Sequence, residues 1–406
     1  MTRARGVPAT LPRTGRRTAG FQESVIREMT RLGDDAGAVN LSQGLPDFTP
    51  PPAVVAAAIE AIERGENQYT FPFGSSAFRA AIAAKAARDQ RLRVDPETDV
   101  TVTCGVSEGM MAAILALTDP GDEVVILEPW YENYVPDCVM AGVRPVFVPL
   151  QGPHYELDVD ALRAGLSPRT RLLLLNTPHN PTGRVFTRRE LEAVAALCLE
   201  RNIVAVTDEI YEYIVYDGRE HLSVASLPGM ADRTVTISGL GKTYAVTGWR
   251  VGWIIAAPRL SEEIRKVHDY LTICAPAPFQ AAGAVALNLP AGYYEEMRGQ
   301  YAQRRELLLS GLTASGFTYH RPEGAYYVMA DFGGVRWDPA SWTRASWSAD
   351  RAFAEYLARE VGVAVVPGSS FYAGSGAGRR AVRFNFAKSL TTLDAAVRRL
   401  GTLQRA

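Results

Sequence analysis

The middle of the chain alternates between two patterns, and this alternation constrains the fold more than any other feature. Ala-rich stretches with helical spacing are separated by short apolar runs, bounded by Gly, Pro or Asp, that are typical of buried strands. Strands that alternate with helices predict an α/β fold, in which a mainly parallel sheet carries helices on both faces. The predicted helices are 52–64, 76–90, 107–118 and 188–201, and the predicted strands are 123–127, 145–150, 171–176, 203–207, 234–237 and 253–257.

The pattern changes after residue 290. A long helical stretch at about 293–315 precedes several short apolar segments and a last helix near 392–403, which predicts a smaller α+β domain. We therefore divide the 406 residues into an N-terminal arm at 21–48 that joins the small domain, a large domain at 49–290 and the small domain at 291–406. Three tryptophans in the otherwise polar segment 335–349 predict a packed lid or an interface.

Bulk composition argues against several classes of protein. The formal net charge is −1, so nothing global indicates binding to nucleic acid or to an anionic membrane. No apolar run approaches 18 residues, so we expect no spanning helix. The four cysteines (Cys104, Cys138, Cys198 and Cys274) lie in apolar contexts without metal-ligand spacing. They predict reduced core thiols, no metal site and a cytoplasmic location.

The first 20 residues contain five arginines and no acidic residue. A transit peptide, a basic contact arm and a disordered tail are the alternatives for such a segment. No apolar core of signal-peptide length follows Arg16-Arg17, which argues against export. We expect a disordered basic tail.

Lys242 follows the predicted strand 234–237 and a turn of small residues. A lysine held in this way can lose its proton and form a Schiff base with a carbonyl cofactor. Arg250, eight positions later, is then placed to hold a phosphate. A P-loop would need a glycine five positions before Gly241, where Thr236 stands. The remaining alternative is an ordinary surface lysine, unless other cofactor-binding residues accompany it.

Polar residues end two of the predicted strands, and ligands of α/β sheets gather at the carboxyl ends of strands. One strand is followed by Asn176-Thr-Pro-His-Asn180-Pro-Thr-Gly and the next by Asp208-Glu-Ile-Tyr211. A buried carboxylate such as Asp208 keeps a pyridine nitrogen protonated, and Asn180 and Tyr211 can donate to a phenolic oxygen. Each alone could be a turn or a helix cap. Together, and in this order before the lysine, they favour a cofactor site.

Two further segments supply a phosphate site and a ring contact. A glycine turn opens the predicted helix 107–118 and presents free backbone N–H groups to an anion. This predicts a phosphate cup formed by Val106, Ser107 and Arg250. Tyr131 follows the strand 123–127 and can lie flat on a pyridine ring, although core packing is the alternative.

In sequence order, these segments resemble the class I/II pyridoxal-phosphate aminotransferases of fold type I, particularly the aspartate, aromatic and kynurenine-type branch. The resemblance runs from about Asn40 to near the C-terminus and rests on Asn-Pro-x-Gly, Asp-Glu-x-Tyr and Lys-Thr-x-x-x-Thr-Gly-Trp-Arg. It implies a bound pyridoxal 5'-phosphate and transfer of an amino group between an L-amino acid and a 2-oxo acid. Lys242 would be the aldimine lysine and proton shuttle, and Asp208 the carboxylate on the ring nitrogen.

The resemblance implies roles for further residues. Asn180 and Tyr211 would hold the phenolic oxygen and Tyr131 would stack on the ring, while Gly44 would lie beside the substrate carboxylate. Arg383, in Val-Arg-Phe-Asn-Phe, would clamp the substrate α-carboxylate, for which a fixed guanidinium is suited.

The resemblance also implies an assembly. Tyr69, in Asn-Gln-Tyr-Thr, would reach the phosphate of a partner subunit, which implies a homodimer with shared active sites. The chain departs from the pattern at Gly239 and Gly241, where many members carry serine. One hydroxyl contact to phosphate is therefore absent from the predicted cup.

The reaction outcome and the substrate are less constrained. Enzymes of this fold also perform cyclisation, elimination or oxygen-dependent oxidation of an amino acid, and some regulators use it as a binding module with an added DNA-binding domain. A 20-residue tail is too short for such a domain. We identify no second arginine for a side-chain carboxylate. Tyr69, Tyr131, Phe371 and Tyr372 suggest a large neutral or aromatic amino acid.

Overall fold

The computed structural model of the protein describes residues 15–21, 23–342, 344, 347–374 and 376–405. Residues 1–14, which form most of the predicted disordered tail, lie outside the described residues, and residues 15–21 are exposed. The helices are α1 Val25–Asp35, α2 Pro52–Glu63, α3 Ser76–Gln90, α4 Val106–Leu117, α5 Tyr134–Ala141, α6 Val159–Gly165, α7 Arg188–Arg201, α8 Leu240–Thr243, α9 Pro258–Thr272, α10 Ala277–Leu287, α11 Ala291–Ala314, α12 Ala349–Tyr356 and α13 Leu390–Leu400. The strands are β1 Val39–Asn40, β2 Val100–Thr103, β3 Glu123–Glu128, β4 Arg144–Pro149, β5 Thr170–Asn176, β6 Val204–Asp208, β7 Thr234–Gly239, β8 Gly252–Ile255, β9 Thr318–Tyr319, β10 Tyr327–Asp331, β11 Val335–Arg336, β12 Val363–Ala364, β13 Val366–Pro367, β14 Ala381–Asn385 and β15 Gln404–Arg405.

A seven-stranded sheet forms the centre of the first 290 residues, in the order β2-β8-β7-β6-β5-β3-β4. Strands β3 to β7 pair in parallel, and β8 is antiparallel to both of its neighbours. Val124 and Ile126 pack in one cluster with α4 and α9, whereas Val125 and Leu127 pack in another with α7. Burial on both faces explains the uninterrupted apolar runs of these strands. The predicted α/β class and mainly parallel sheet are confirmed.

The bounds of α7 coincide with the prediction because strong local signals mark both of its ends. The Thr187 hydroxyl accepts from the Glu190 N–H, and the Glu190 carboxylate accepts from the Thr187 N–H, which is a capping box. Asn202 ends the helix in a left-handed conformation, with φ of 50°. Local chemistry therefore marks both ends of this helix in the sequence.

A second sheet, of four antiparallel strands in the order β13-β14-β10-β9, lies in the C-terminal part of the chain. The N-terminal arm packs on this part, since β1 pairs in parallel with β12 and both Met29 and Leu41 belong to its core cluster. On these contacts we propose the division of the chain at residues 48 and 290. In the Trp-rich segment, the Trp337 ring lies 5.1 Å from the Phe353 ring.

No helix of the described residues is both long enough and apolar enough to span a membrane.

Candidate active site

The strand directions bring several loops to one edge of the large sheet. The parallel strands β5, β6 and β7 end at this edge, with Asn176 paired to Asp208. Strand β8 runs the other way and begins there, because Gly252 pairs with Gly239 and also with Thr103 at the end of β2. The segments that follow β2, β5, β6 and β7, and the segment that precedes β8, therefore meet in space.

A cavity of about 570 Å³ opens where these segments meet. Of the residues to which the sequence assigned a cofactor or substrate contact, all except Tyr69 line it: Gly44, Val106, Ser107, Tyr131, Asn180, Asp208, Tyr211, Lys242, Arg250 and Arg383. Phe371 and Tyr372, which had also suggested an aromatic substrate, are not in the lining. Tyr69 lies on the surface of the single chain, with 78% of its area exposed.

The Lys242 ammonium is surrounded by groups from three distant segments of the chain. It donates to the Gly44 carbonyl oxygen at 3.0 Å and lies within 6 Å of the ring centroids of Tyr211 and Tyr326. The Tyr326 hydroxyl donates to the same carbonyl at 3.0 Å. Desolvation lowers the pKa of Lys242, although the neighbouring Tyr327 and Asp208 oppose this shift. A depressed pKa increases the fraction of neutral amine, which is the form that acts as nucleophile or base.

The Asp208 carboxylate ends β6 and is 4% exposed. The Tyr134 hydroxyl donates to one of its oxygens at 2.8 Å, and the Ile210 N–H donates to the other at 3.2 Å. Burial raises the pKa of this carboxyl to about 6, although both hydrogen bonds oppose the rise. The residue is thus a fixed acceptor that a cationic partner can keep ionised.

Arg383 is fully buried and rigidly placed. Its guanidinium donates to the Asn180 side-chain oxygen and to the Ser42 carbonyl oxygen, each at 2.9 Å. The guanidinium also lies between the rings of Tyr327 and Phe371, at 4.3 and 4.9 Å from their centroids. Its Nε has no hydrogen-bond partner among the described residues. A planar cation held in this way is suited to a carboxylate.

A second asparagine, Asn176, fixes the position of the segment that carries Asn180. The Asn176 side chain accepts from the Asn180 N–H at 2.7 Å and donates to the Asp208 carbonyl oxygen at 2.8 Å. This pair of bonds ties the loop after β5 to the end of β6. It sets the relative positions of Asn180 and Asp208.

Backbone N–H groups and a guanidinium face each other at the start of α4. Gly105 has φ of 81°, and a Cβ there would lie 2.5 Å from Nη2 of Arg250, so a side chain would displace the guanidinium. Arg250 itself has φ of 54° and donates to the Thr247 carbonyl oxygen at 2.9 Å. The free N–H groups of Val106 and Ser107, together with this arginine, form an anion site.

The structure gives a reason for the glycine that replaces serine at position 239. A Cβ on Gly239 would lie 2.8 Å from the Val251 carbonyl oxygen and 3.0 Å from the Gly252 Cα. Both are backbone atoms, one in Val251 just before β8 and one in Gly252 at its start, so they cannot rotate away as side-chain atoms can. The close pairing of β7 and β8 therefore favours glycine at this position.

A buried polar network lies behind the Asp208–Tyr211 segment. The Lys85 ammonium pairs with Glu212, and the Ser238 hydroxyl donates to the other oxygen of Glu212 at 2.8 Å. Glu209 accepts from the Ser223 hydroxyl at 2.9 Å and contacts a His221 ring nitrogen at 2.7 Å. Two carboxylates therefore support the loop after β6 from the interior.

Comparison with known proteins identifies the family. Residues 36–400 match the family described as aminotransferase class I and II. The chain belongs to the class I and II aminotransferases. It is 41% identical over 393 residues to the probable N-succinyldiaminopimelate aminotransferase of Mycobacterium tuberculosis, covering 94% of this chain and 96% of that protein. It is 37% identical over 380 residues to the methionine aminotransferase of Escherichia coli, with coverages of 94% and 96%.

A solved structure supports the same assignment. The N-succinyldiaminopimelate aminotransferase structure from Mycobacterium tuberculosis superposes with a TM-score of 0.90, covering 96% of this chain and 100% of that one at 41% identity. Aminotransferases of this family use pyridoxal phosphate and transfer an amino group between an amino acid and a 2-oxo acid. The predicted family, cofactor and reaction are therefore confirmed.

The residues present fit pyridoxal phosphate. The cofactor needs an anion site, a carboxylate for its ring nitrogen and an amine for its aldehyde. The aminotransferase cavity offers the α4 N-terminus with Arg250, the buried Asp208 and Lys242. Each group of the cofactor therefore has a chemical complement in one cavity.

Some residues in and behind the cavity wall carried no recognisable signal in the sequence. Tyr134 holds Asp208, and Tyr327 links Tyr211 to Arg383, with a 3.2 Å bond between the two tyrosine hydroxyls. The N-terminal arm adds Ser24, Ile26 and Arg27 to the cavity wall. Tyrosines also occur commonly in protein cores, so only the tertiary structure distinguishes these tyrosines from ordinary core residues.

Proposed function

We propose that Lys242 is the covalent anchor and proton shuttle of this aminotransferase and that the residues around it have the roles implied by the sequence. The observation that supports this proposal is the convergence of segments from residue 44 to residue 383 on one cavity around the lysine. Asp208 would accept from the cofactor ring nitrogen, and Asn180 and Tyr211 would donate to its phenolic oxygen. Val106, Ser107 and Arg250 would hold the phosphate.

Pyridoxal phosphate, when bound, supplies an electron-withdrawing ring that stabilises negative charge at the substrate Cα. The protein groups control position and protons. Arg383 binds the α-carboxylate and so fixes the orientation of the Cα–H bond, while Tyr131 limits movement of the ring plane. The Lys242 amine removes the Cα proton and later returns a proton, acting as general base and then as general acid.

Replacement of the lysine tests this proposal. Lys242→Ala should abolish both turnover and the visible absorbance of the lysine-bound cofactor, because no other lysine lines the cavity in the described part of the chain. Lys266→Ala removes an exposed lysine and is the matched control, which we expect to keep both properties. Normal turnover by Lys242→Ala would refute the role of this residue.

We further propose that the amino donor is a large neutral or aromatic L-amino acid. The cavity wall contains the rings of Tyr131, Tyr211 and Tyr327. A spectrophotometric half-reaction screen would test this, with methionine, kynurenine, aromatic amino acids and N-succinyldiaminopimelate in the panel. Transamination predicts one-step conversion of the cofactor to its amine form. Release of ammonia or peroxide, without dependence on a second oxo acid, would instead indicate the elimination or oxidation alternative.

We also propose a homodimer with shared active sites, in which Tyr69 completes the partner's phosphate site. The exposure of Tyr69 in the single chain supports this proposal. Subunits of two inactive variants, Tyr69→Ala and Lys242→Ala, can be mixed to test it. A mixed dimer contains one site with both native residues, so activity should reappear. Absence of recovery in a verified mixed dimer would contradict shared sites.

A further inference from the structure

Two histidines meet at the protein surface, outside the aminotransferase cavity. The Nδ1 atoms of His154 and His320 lie 3.1 Å apart, and neither residue is in the cavity lining. His154 is exposed and His320 is half-buried, whereas the side chains of the other histidines are almost completely buried (His179, His221 and His268). Of the five histidines in the chain, all of which the structure describes, only these two are therefore accessible to a dissolved ion.

The backbone on each side of this pair is fixed by regular pairing. His154 lies in a turn after β4, which two hydrogen bonds between Gln151 and Glu156 close, at 2.8 and 2.9 Å. His320 directly follows β9, which pairs with β10 in the four-stranded sheet. Segments 166 positions apart thus bring the two imidazoles together before any ligand arrives, and a ligand that binds both rings loses little conformational entropy.

The two nitrogens that face each other can act as ligands. A contact between two Nδ1 atoms requires one N–H donor and one lone-pair acceptor, so at least one imidazole already presents an unprotonated nitrogen to the other. The Nε2 atom of His320 is buried and has no hydrogen-bond partner among the described residues. Nδ1 is therefore the nitrogen through which this half-buried ring can bind an ion from solution.

The separation of the two nitrogens matches a metal ion that binds both imidazoles. Zn²⁺ lies about 2.0–2.1 Å from a histidine nitrogen that binds it. With these bond lengths and the 3.1 Å separation, the N–Zn–N angle is about 95–100°. This angle lies between the octahedral and the tetrahedral values, so small rotations of the rings suffice for coordination.

Two arginines near the pair are neutralised by carboxylates. The Arg184 and Arg219 guanidiniums both act electrostatically on His320. Arg184 is paired with Glu190 at 2.6 Å, and Arg219 is paired with Glu323 at 2.5 Å. Their repulsion of an incoming cation is therefore largely offset within the chain.

A second cluster of possible metal ligands is less suited to an ion from solution. Atoms of Glu209, Glu212 and His221 lie within 4.8 Å of one another in the interior. The fully buried Lys85 ammonium is already paired with Glu212 in this cluster, so a metal ion would have to displace it. No lysine or arginine among the described residues bonds to the His154 or His320 ring.

We propose that His154 and His320 form a binding site for a divalent transition-metal cation, which both Nδ1 atoms hold and water completes. Imidazole suits Zn²⁺, Ni²⁺ and Cu²⁺, whereas Mg²⁺ and Ca²⁺ prefer oxygen ligands. The cation would join the turn after β4, at the edge of the large sheet, to the end of β9 in the second sheet.

Calorimetric titration of the untagged, cofactor-loaded protein with ZnCl₂ tests the site. His154→Gln and His320→Gln should each weaken the affinity for Zn²⁺ by at least about tenfold, because one ligand cannot chelate. MgCl₂ should give no binding at this site. Cys274→Ser is the control, since it removes a partly exposed thiol that could compete for zinc, and it should leave the affinity unchanged.

Two readouts distinguish one shared ion from separate weak contacts. The losses in the double variant should not add, because each single substitution already removes the chelate. With Cu²⁺ as the probe, electron paramagnetic resonance should show coupling to two imidazole nitrogens in the native protein and to fewer in either variant. Native affinity in both single variants, additive losses in the double variant or coupling to a single nitrogen in the native protein would overturn the proposal.

The metal site is independent of the proposed function. Lys242→Ala should lose turnover and keep the native zinc affinity, whereas His154→Gln should lose zinc affinity and keep turnover measured without added metal. Failure of one proposal therefore leaves the other intact. If zinc binding disappears in Lys242→Ala, the ion binds in the aminotransferase cavity and the histidine assignment is wrong.

Discussion

Asp208→Asn should raise the free energy of unfolding of the cofactor-free protein and lower the activity of the cofactor-loaded enzyme. Burial raises the pKa of the Asp208 carboxyl from an ordinary 3.8 to about 6. At 1.36 kcal/mol for each pKa unit, ionisation of this residue therefore costs the folded protein about 3 kcal/mol. Asparagine has nearly the same shape and no charge, so it avoids the cost. On the proposed function it also removes the carboxylate that would keep the cofactor ring nitrogen protonated, so activity should fall.

The effect has a defined dependence on pH. Below pH 4 the carboxyl is protonated in the folded and the unfolded protein, and its ionisation contributes no cost. Between pH 4 and pH 6 the folded protein holds a proton that the unfolded chain has released, so stability falls as pH rises. Above pH 6 the cost is complete. About half of it is present at pH 5, so the advantage of the variant should grow by about 1.4 kcal/mol between pH 5 and pH 8.

Urea unfolding of the cofactor-free protein at several pH values measures this difference. Because the Tyr134 hydroxyl loses a charged acceptor, we expect a net advantage of about 1–3 kcal/mol for Asp208→Asn at pH 8. The exposed Asp232→Asn is the control and should show no such trend. An advantage that does not change between pH 5 and pH 8, or a variant that is less stable throughout, would refute the reasoning.

Two other substitutions test residues that pack against the site. A Cβ in Gly44→Ala would overlap the Tyr327 hydroxyl and lie 2.7 Å from the Tyr327 Cζ, so this variant should be destabilised by about 1–3 kcal/mol and have a lower kcat. Gly292→Ala is the control: its Cβ meets no atom within 4 Å, so stability and kcat should not change. Lys85→Met leaves Glu212 buried without its cation and should cost about 3–5 kcal/mol in urea unfolding. The double variant with Glu212→Leu should recover most of that loss, and a purely additive loss would contradict a direct pair.

The large-domain elements could be predicted because their signals are local. A strand buried on both faces, such as β5, appears in sequence as an apolar run that ends in a polar residue, and α7 carries a capping signal at each end. The edge strand β2 was not predicted, although its Val-Thr-Val-Thr sequence is compatible with a strand. It is defined by its pairing with β8, in which Val100 is in register with Ile255, 155 positions further along the chain.

The residues of the candidate site also fall into two groups: those that a local motif marks, and those that only tertiary packing brings to the site. Motif residues such as Lys242 were recognisable because the chemistry requires those residue types in that order. Tyr327 and Arg27 line the cavity, and Tyr134 holds Asp208 behind it, only through the packing of distant segments, and no local pattern marks them.

The position of the arm has a consequence for the order in which the protein is made. The bond from Arg383 to the Ser42 carbonyl joins residues 341 positions apart, and β1 likewise requires β12. At a synthesis rate of about 5–20 residues per second, the arm emerges roughly 20–70 s before its partners. During this interval the large sheet can assemble, while Met29 and Leu41 have no core to enter. The part of the cavity wall that the arm contributes is thus completed late, although it is encoded first.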